Sequence, residues 1–310
     1  MNIVVTGGTG FIGRALCQAL LDHHHRVSVL SRRPDRAVRS LGPGITVREW
    51  DDTADGPWAR DVASADAIVN LAGEPIADAR WTATRKRVIY ESRIEATRRL
   101  ADVITSSSQR PAVLISASGI GYYGASAERL FDEDAGPGQG FLADLCIAWE
   151  REAARVESLG VRVVCPRFGM VLEKDGGALP RMVFPFRAFL GGPISPGSQW
   201  VSWIHRSDVI RMIEWFLVTP TISGPVNAVA PDAVSMTEFC RMLGTVLHRP
   251  SWIPVPAFAL KLALGELSTA LTTGQRVMPA AAVSAGYRFL YPSLDSALRA
   301  IFQDVRPAAI

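Results

Sequence analysis

The chain of 310 residues carries 33 Lys and Arg against 30 Asp and Glu, a formal net charge of +3, and 48% of its residues are hydrophobic. That charge is too small and dispersed for a nucleic-acid surface, no basic stripe interleaves with aromatics, and no apolar run reaches the ~18 residues of a membrane span. The chain enters an apolar strand at once, without a charged and apolar leader, and its four scattered cysteines (Cys17, Cys146, Cys165, Cys240) form no C-x-x-C pair; a cytoplasmic protein with reduced thiols, and without nucleic-acid or membrane partners, is expected.

The opening strand, Ile3-Val4-Val5, runs into a turn with Gly7, Gly10 and Gly13 in G-x-x-G-x-x-G spacing. A helical pattern follows through Ala15, Leu16, Ala19 and Leu20, then a second apolar strand over residues 27–30. Glycine lets the backbone turn tightly and approach a pyrophosphate, and the new helix aims free N–H groups at that anion. Inside a βαβ unit of roughly 30 residues the triplet is a dinucleotide fingerprint, which makes Gly7, Thr9, Gly10, Phe11, Ile12 and Gly13 candidate cofactor contacts. An NAD enzyme usually ends its second strand on an acidic residue that holds the ribose 2′-hydroxyl. This chain has Ser31-Arg32-Arg33 there. A hydroxyl and two guanidinium forks suit a 2′-phosphate, so the expected cofactor is NADP (NADPH), the bland alternative being a solvated basic turn. His23-His24-His25 has no second ligand pair spaced to join it, and no metal site is expected.

Strands over 45–50, 67–71, 112–116 and 161–166 then alternate with helices over 82–106 and 142–159. This alternation predicts an α/β protein with a doubly wound parallel Rossmann sheet, helices covering both faces. From about residue 168, glycine and proline pairs such as Gly191-Gly192-Pro193 punctuate shorter segments, as in a smaller mixed α/β lobe. The chain returns to the sheet near 224–229, and helices are expected over 236–247, 257–272 and 294–301. The expected division is an NADP-binding domain of 1–167 with about 199–230, a C-terminal substrate lobe of 168–198 with 231–303, and a frayed tail, 304–310.

Several of these pieces together resemble a known family. They are residues 6–13, the Asn70-Leu71-Ala72-Gly73 turn, Ser116-Ala117-Ser118 before Tyr122-Tyr123-Gly124, Pro166-Arg167-Phe168-Gly169, and Trp203-Ile204-His205-Arg206-Ser207-Asp208. The chain resembles the extended branch of the short-chain dehydrogenase/reductase superfamily, the sugar-nucleotide epimerases and dehydratases. Gly73-Glu74-Pro75-Ile76, Trp81 with Arg85-Lys86, Ser92-Arg93, Trp149-Glu150 and the block from Gly286 to Pro292 narrow the likeness to an atypical subgroup of epimerase family proteins. Those proteins end in a small domain of unknown function. The resemblance spans about 1–303. It implies that Asn70, Leu71, Ala72 and Gly73 line the cofactor, that Asp51 sits near the adenine, and that Arg167 and Phe168 lie near the nicotinamide.

One departure from the family bears on chemistry. Extended members use a Tyr-x-x-x-Lys pair, the lysine lowering the tyrosine pKa so that the phenol shuttles a proton. In that register this chain reads Phe141-Leu142-Ala143-Asp144-Leu145. Three accounts stay open: another acid or base replaces the pair, the substrate needs little protein acid, or the cofactor is only sensed. Candidate catalytic residues are Ser118, Tyr123 and Tyr122; candidate substrate contacts are Glu74, Lys86, Arg93 and Trp203. Trp81, Trp200 and Trp203 floor a cleft or belong to a core, and His205 reads as a core histidine. Two functions are therefore carried forward. One is an NADP-binding oxidoreductase or nucleotide-sugar epimerase-like enzyme acting on an unidentified small molecule. The other is an NADP-sensing regulatory protein, a class that relatives described as cell-division inhibitors keep open. A homodimer is an open alternative to a monomer.

Overall fold

The computed structural model describes residues 1–51 and 56–303; the expected tail lies outside them. The first strands are β1 (Asn2–Thr6), β2 (Arg26–Ser31), β3 (Ile45–Glu49), β4 (Ala67–Asn70) and β5 (Val113–Ser116). Every residue of β4 and β5 is buried, and all of β1 but its first, the pattern of strands covered on both faces. After the two-residue β6 (Ser118–Gly119) and β7 (Leu130–Phe131) come β8 (Arg162–Phe168), β9 (Met170–Glu173) and β10 (Gly176–Gly177). The last are β11 (Trp200–Val201), β12 (Trp203–His205), β13 (Gly224–Ala228), β14 (Val234–Ser235) and β15 (Arg276–Val277).

The order β13-β8-β5-β4-β1-β2-β3 makes one sheet, with β6 paired to β8 at its end. Every pairing in it is parallel. Chain order reverses between β1 and β4, and a crevice opens beyond the carboxyl ends of strands at such a point.

Helices pack on both faces. α1 (Phe11–Asp22) opens at the glycine turn, α2 (Pro34–Leu41) follows β2, and α3 (Pro57–Ala63) and α4 (Ala83–Ser106) flank β4. α5 (Phe141–Ala154) precedes β8, and α6 (Leu179–Arg187) and α7 (Arg206–Val218) flank the middle of the second lobe. One sheet face buries Leu16, Leu20, Ile213 and Phe216 from α1 and α7; the other buries Trp58, Val62, Leu100 and Ile104 from α3 and α4. Thr82 caps α4 by accepting the Arg85 N–H (3.1 Å), so the helix begins one residue after its expected start.

The second lobe adds α8 (Met236–Leu247), α9 (Ala257–Leu264), α10 (Leu267–Thr272), α11 (Ala280–Ser284) and α12 (Leu294–Gln303). It has its own core, in which Leu179, Phe186, Trp203, Phe239, Leu243 and Leu298 meet. The single helix expected over 257–272 is broken at Gly265, whose φ of +62° ends α9. The helix expected to reach 159 stops at Ala154, and Glu157–Leu159 is one 3-10 turn. The C-terminal segment is shared between two cores, because Ala282 and Tyr287 pack into that of the main sheet.

Candidate active site

The phosphate end of the crevice is bare backbone. Gly7 has φ +67° and its carbonyl accepts the Gly10 N–H at 2.9 Å. A Cβ on Gly7 would strike the Leu71 carbonyl, and one on Gly13 would strike the Gly7 oxygen and sit 2.7 Å from Gly8 Cα. The first helical turn therefore lies against the β1 turn at a distance no side chain permits. Gly10 caps α1 with no side-chain hydrogen bond, and the first turn carries no acid. Its N–H groups and positive dipole end are left for an external anion. These features fit a dinucleotide pyrophosphate. Thr9 is exposed beside the turn, Ile12 packs on the sheet core, and Phe11 turns toward the second lobe, where Gly176 and Gly177 lie on its ring and the Arg206 guanidinium stands 5.1 Å from its centre.

At the end of β2, Ser31 Oγ accepts the Arg33 N–H at 3.1 Å. Arg33 is exposed. Arg32 reaches across to the loop after β4, where its Nη2 lies 3.1 Å from Glu74 Oε1; the other oxygen of Glu74 is 3.7 Å from Arg85 Nη1. Asp51 follows β3 and accepts a hydrogen bond from the Trp58 indole (3.0 Å).

Asn70 is placed at the crevice but its side chain faces inward. It accepts from Thr6 Oγ1 (2.7 Å) and donates to Thr97 Oγ1 (2.8 Å) and Ser116 Oγ (3.1 Å), fully buried. Of the four residues expected to line the cofactor, Asn70 uses its side chain to tie β1, β5 and α4 together, and the Leu71 and Ala72 N–H groups donate to the Thr6 carbonyl and Thr6 Oγ1, both at 3.2 Å. Gly73 presses on Arg93, since a Cβ there would lie 2.8 Å from the guanidinium carbon. Arg93 is 7% exposed, gives Nη1 to the Glu74 and Ile89 carbonyls, and stacks over Trp149 at 5.1 Å. Burial lowers its pKa to about 10. Lys86 pairs with Glu266 (2.9 Å) and lies over the Phe141 ring.

The register expected to hold Tyr and Lys is apolar in space as well. Phe141 meets Trp81 edge-on at 5.2 Å, and Leu145 is buried with Ile89, Ala117 and Trp149. The polar centre is instead a chain of hydrogen bonds starting at Ser118. Its hydroxyl donates to Glu150 Oε1 at 2.6 Å. Arg167 clamps the same carboxylate, Nε to Oε1 and Nη2 to Oε2, both at 2.8 Å, and gives Nη1 to the Tyr123 hydroxyl at 2.9 Å. Tyr123 in turn donates to Asn227 Oδ1 at 2.7 Å. Parallel pairing of β6 with β8 sets Ser118 opposite Arg167 and Gly119 opposite Phe168.

Three expected roles change. Tyr123 is 2% exposed with both hydroxyl valences used, and burial, partly opposed by Arg167, raises its pKa. It is a packing tyrosine and not a proton shuttle. Arg167 is also buried and its fork is committed to Glu150 and Tyr123, so it frames the site from behind instead of touching a cofactor. Trp203 is fully buried and donates to the Asp232 carbonyl (2.6 Å), in the second lobe's core and away from any cleft. Tyr122 is half-buried, its ring 3.5 Å from the Arg167 guanidinium carbon. Trp81 donates to the Ile76 carbonyl and Trp200 to that of Ala127.

Glu150 was not a site candidate from sequence. The signal available was its place on α5, four residues after Cys146 and eight after Leu142, which puts a carboxylate on the helix stripe facing Gly119 and Gly121. Cys146 shares that stripe, but burial, then the Glu150 charge, push its thiol up to about 11, far from a nucleophile at neutral pH.

His205 is a core histidine, as read from sequence. It is 4% exposed, accepts the Ser207 N–H at 3.0 Å as the cap of α7, and stacks on Tyr291 at 4.1 Å. Burial, then the Arg206 charge, lower its pKa from 6.5 to about 4. The folded state therefore binds fewer protons than the unfolded chain, and stability falls as pH drops through that window. We expect about 3 kcal/mol of pH-dependent stability between pH 6.5 and 4 from this residue. Denaturant titrations of wild type and His205→Gln across that range check it, the variant lacking this part of the slope.

The sequence profile of the NAD dependent epimerase/dehydratase family matches residues 3–228, and that of a domain of unknown function, DUF1731, matches 255–301. The epimerase family protein SDR39U1 homolog, chloroplastic, of Arabidopsis thaliana is 43% identical over 309 residues, covering 98% of this chain and 87% of the relative. Epimerase family protein YfhF of Bacillus subtilis is 40% identical over 305 residues, covering 98% and 99%. The crystal structure of human epimerase family protein SDR39U1 (isoform 2) with NADPH superposes with a TM-score of 0.90 at 36% identity, covering 98% of this chain and 100% of that one. The bare glycine turn, the parallel sheet and these likenesses agree: the chain belongs to the NAD dependent epimerase/dehydratase family.

Proposed function

We propose that the protein is an NADP-dependent oxidoreductase or epimerase-like enzyme in which the Ser118–Glu150 pair takes the place of tyrosine and lysine. The observation that carries the reading is the 2.6 Å hydrogen bond from Ser118 to a carboxylate clamped by Arg167, beyond the carboxyl ends of the strands. NADPH, when bound, supplies the hydride-transfer chemistry. A serine hydroxyl that gives its proton to a fixed carboxylate presents a more basic oxygen to a substrate hydroxyl. In the oxidation direction the substrate proton passes to Ser118 as Ser118 passes its own to Glu150; the reverse path serves reduction. The Arg167 fork holds the carboxylate still throughout. Of the substrate candidates, Lys86 and Glu74 stay partly exposed, paired to Glu266 and Arg32, whereas Arg93 is buried and positions the turn after β4.

Purified protein mixed with NADPH and a panel of sugars, aldehydes and quinones tests the enzyme reading through loss of nicotinamide absorbance. On any substrate found, Ser118→Ala is expected to lower kcat about 100-fold or more. Full activity in that variant removes Ser118 from the mechanism. Tight NADPH binding with no turnover on a broad panel favours the sensing reading, which the apolar Phe141 and Leu145 support.

The NADPH of the human relative's structure and the basic end of β2 support NADP as the cofactor. Arg32→Ala is expected to weaken NADPH about tenfold and leave NADH unchanged, because only the 2′-phosphate meets that fork. Glu74→Gln should act oppositely. The Glu74 carboxylate now occupies Arg32, as an internal stand-in for the phosphate, and its neutralisation is expected to tighten NADPH about threefold. Paired titrations of NADPH and NADH decide both; equal shifts for the two cofactors remove the argument.

A further inference from the structure

No helix of the described residues is long and apolar enough to cross a membrane, yet two segments of the second lobe carry large apolar side chains that are left exposed among the described residues. Trp252 is 69% exposed, Phe184 76%, Phe258 75% and Leu262 79%. Phe189 and Leu190, at the end of α6, are more than half exposed too. The two segments meet at Trp252. The Trp252 N–H donates to the Gly191 carbonyl (3.0 Å) and its indole to the Phe189 carbonyl (3.2 Å), so the loop at 252 lies along the end of α6. α9 leaves that loop a few residues on, with Phe258 and Leu262 one turn apart on its exposed stripe. Apolar side chains clustered this way are unusual on a surface with no partner.

The free charges beside them are basic, since the nearest acids, Asp78 and Glu266, are already held by Arg181 and Lys86. Arg249 lies 4.6 Å from the centre of the Phe189 ring, and Arg187 and Lys261 are exposed on α6 and α9. Neither residues 176–207 nor 239–265 contain a single Asp or Glu. A second copy of this chain would set Arg187 and Lys261 against the same cations, with acids nearby that are already engaged, and the side chains stand proud where a peptide groove would hold them half-buried. Protruding aromatics with cations on the same segments are the chemistry of an interfacial element on an anionic membrane, the rings entering the headgroup layer and the cations meeting lipid phosphates. We propose that this face of the second lobe docks on the surface of an anionic lipid bilayer. The expectation of no membrane partner rested on the lack of a spanning segment, which does not bear on attachment of this kind.

Flotation of the full chain with vesicles of phosphatidylcholine, with and without about one-third phosphatidylglycerol, tests the proposal. Binding is expected only to the anionic vesicles, weakening as salt rises. Phe258→Glu/Leu262→Glu is expected to reduce the apparent partition constant roughly tenfold or more, with an unchanged melting temperature because both side chains already face water. Trp252→Gln, on the other segment, should give an independent loss. Equal binding to both vesicle types, no binding to either, or binding that survives these substitutions overturns the proposal. So does a dimer, seen by analytical ultracentrifugation, that only Phe258→Glu/Leu262→Glu dissociates, since a second copy would then be the occupant.

Discussion

Gly13→Val is expected to abolish detectable NADPH binding, an affinity loss of about a hundredfold or more, equivalent to about 3 kcal/mol. The reason is geometric. Even the first carbon of a side chain would strike the Gly7 carbonyl and crowd Gly8 Cα, both backbone atoms that cannot swing aside. α1 must move off the β1 turn, and the N–H groups that would face a pyrophosphate move with it. Isothermal titration and thermal melting together separate this from collapse of the fold: apo stability should fall by only about 1–3 kcal/mol. Gly136→Ala serves as the neutral comparison, because a Cβ there meets nothing within 4 Å. A valine variant with wild-type NADPH affinity would show that the cofactor does not use this turn.

Glu150→Leu is expected to destabilise the fold by about 3–5 kcal/mol, since it leaves the buried Arg167 guanidinium without its counter-charge. Burial by itself would lower the Arg167 pKa, but the hydrogen bonds and charge of Glu150 outweigh that and hold it raised. The same argument predicts rescue. Glu150→Leu/Arg167→Met removes both charges and should recover most of the lost stability, because two apolar groups of similar size replace a pair that was expensive to bury. Activity should not return with it, since Ser118 then has no acceptor. Chemical denaturation of the four proteins in this cycle gives the coupling, and additive effects would mean that the clamp contributes nothing.

The sheet was legible in the chain because its signals are local. Ile3, Val4 and Val5 before a glycine triplet, and Ala67 to Asn70 before another turn, specify buried strands by their neighbours alone. The phosphate site was legible for the same reason, since Gly13 is required by contacts with Gly7 and Gly8 only a few residues away, although Gly7 itself is also pressed by the distant Leu71 carbonyl. The polar centre at Ser118 is different. Ser118, Glu150, Arg167, Tyr123 and Asn227 come from segments up to 109 residues apart, and what each does depends on which valences the others have already filled. Tyr123 looks catalytic beside a glycine in sequence; in space it spends its hydroxyl on Arg167 and Asn227. Trp203 has the composition of a cleft floor, but the lobe closes a separate core around it. The break at Gly265 was visible as a residue and invisible as an event, because one glycine can sit inside a helix or end it, and only φ decides.

Phe11 is the first residue of α1, one position beyond the cap that faces an incoming pyrophosphate, and its ring is roofed by Gly176 and Gly177 with Arg206 alongside. The glycine turn thus has a finger in the other lobe. A ligand that shifted α1 would press on the β9–β10 hairpin through this ring, and to the extent that it did, whatever gripped the hairpin would alter affinity at the turn by the same factor, because coupling free energies are reciprocal. An enzyme would use this linkage to ready its lobe for substrate, and a sensor to broadcast its redox state. Turnover and signalling would run on one piece of machinery, and which of them is selected would be decided by what the lobe meets.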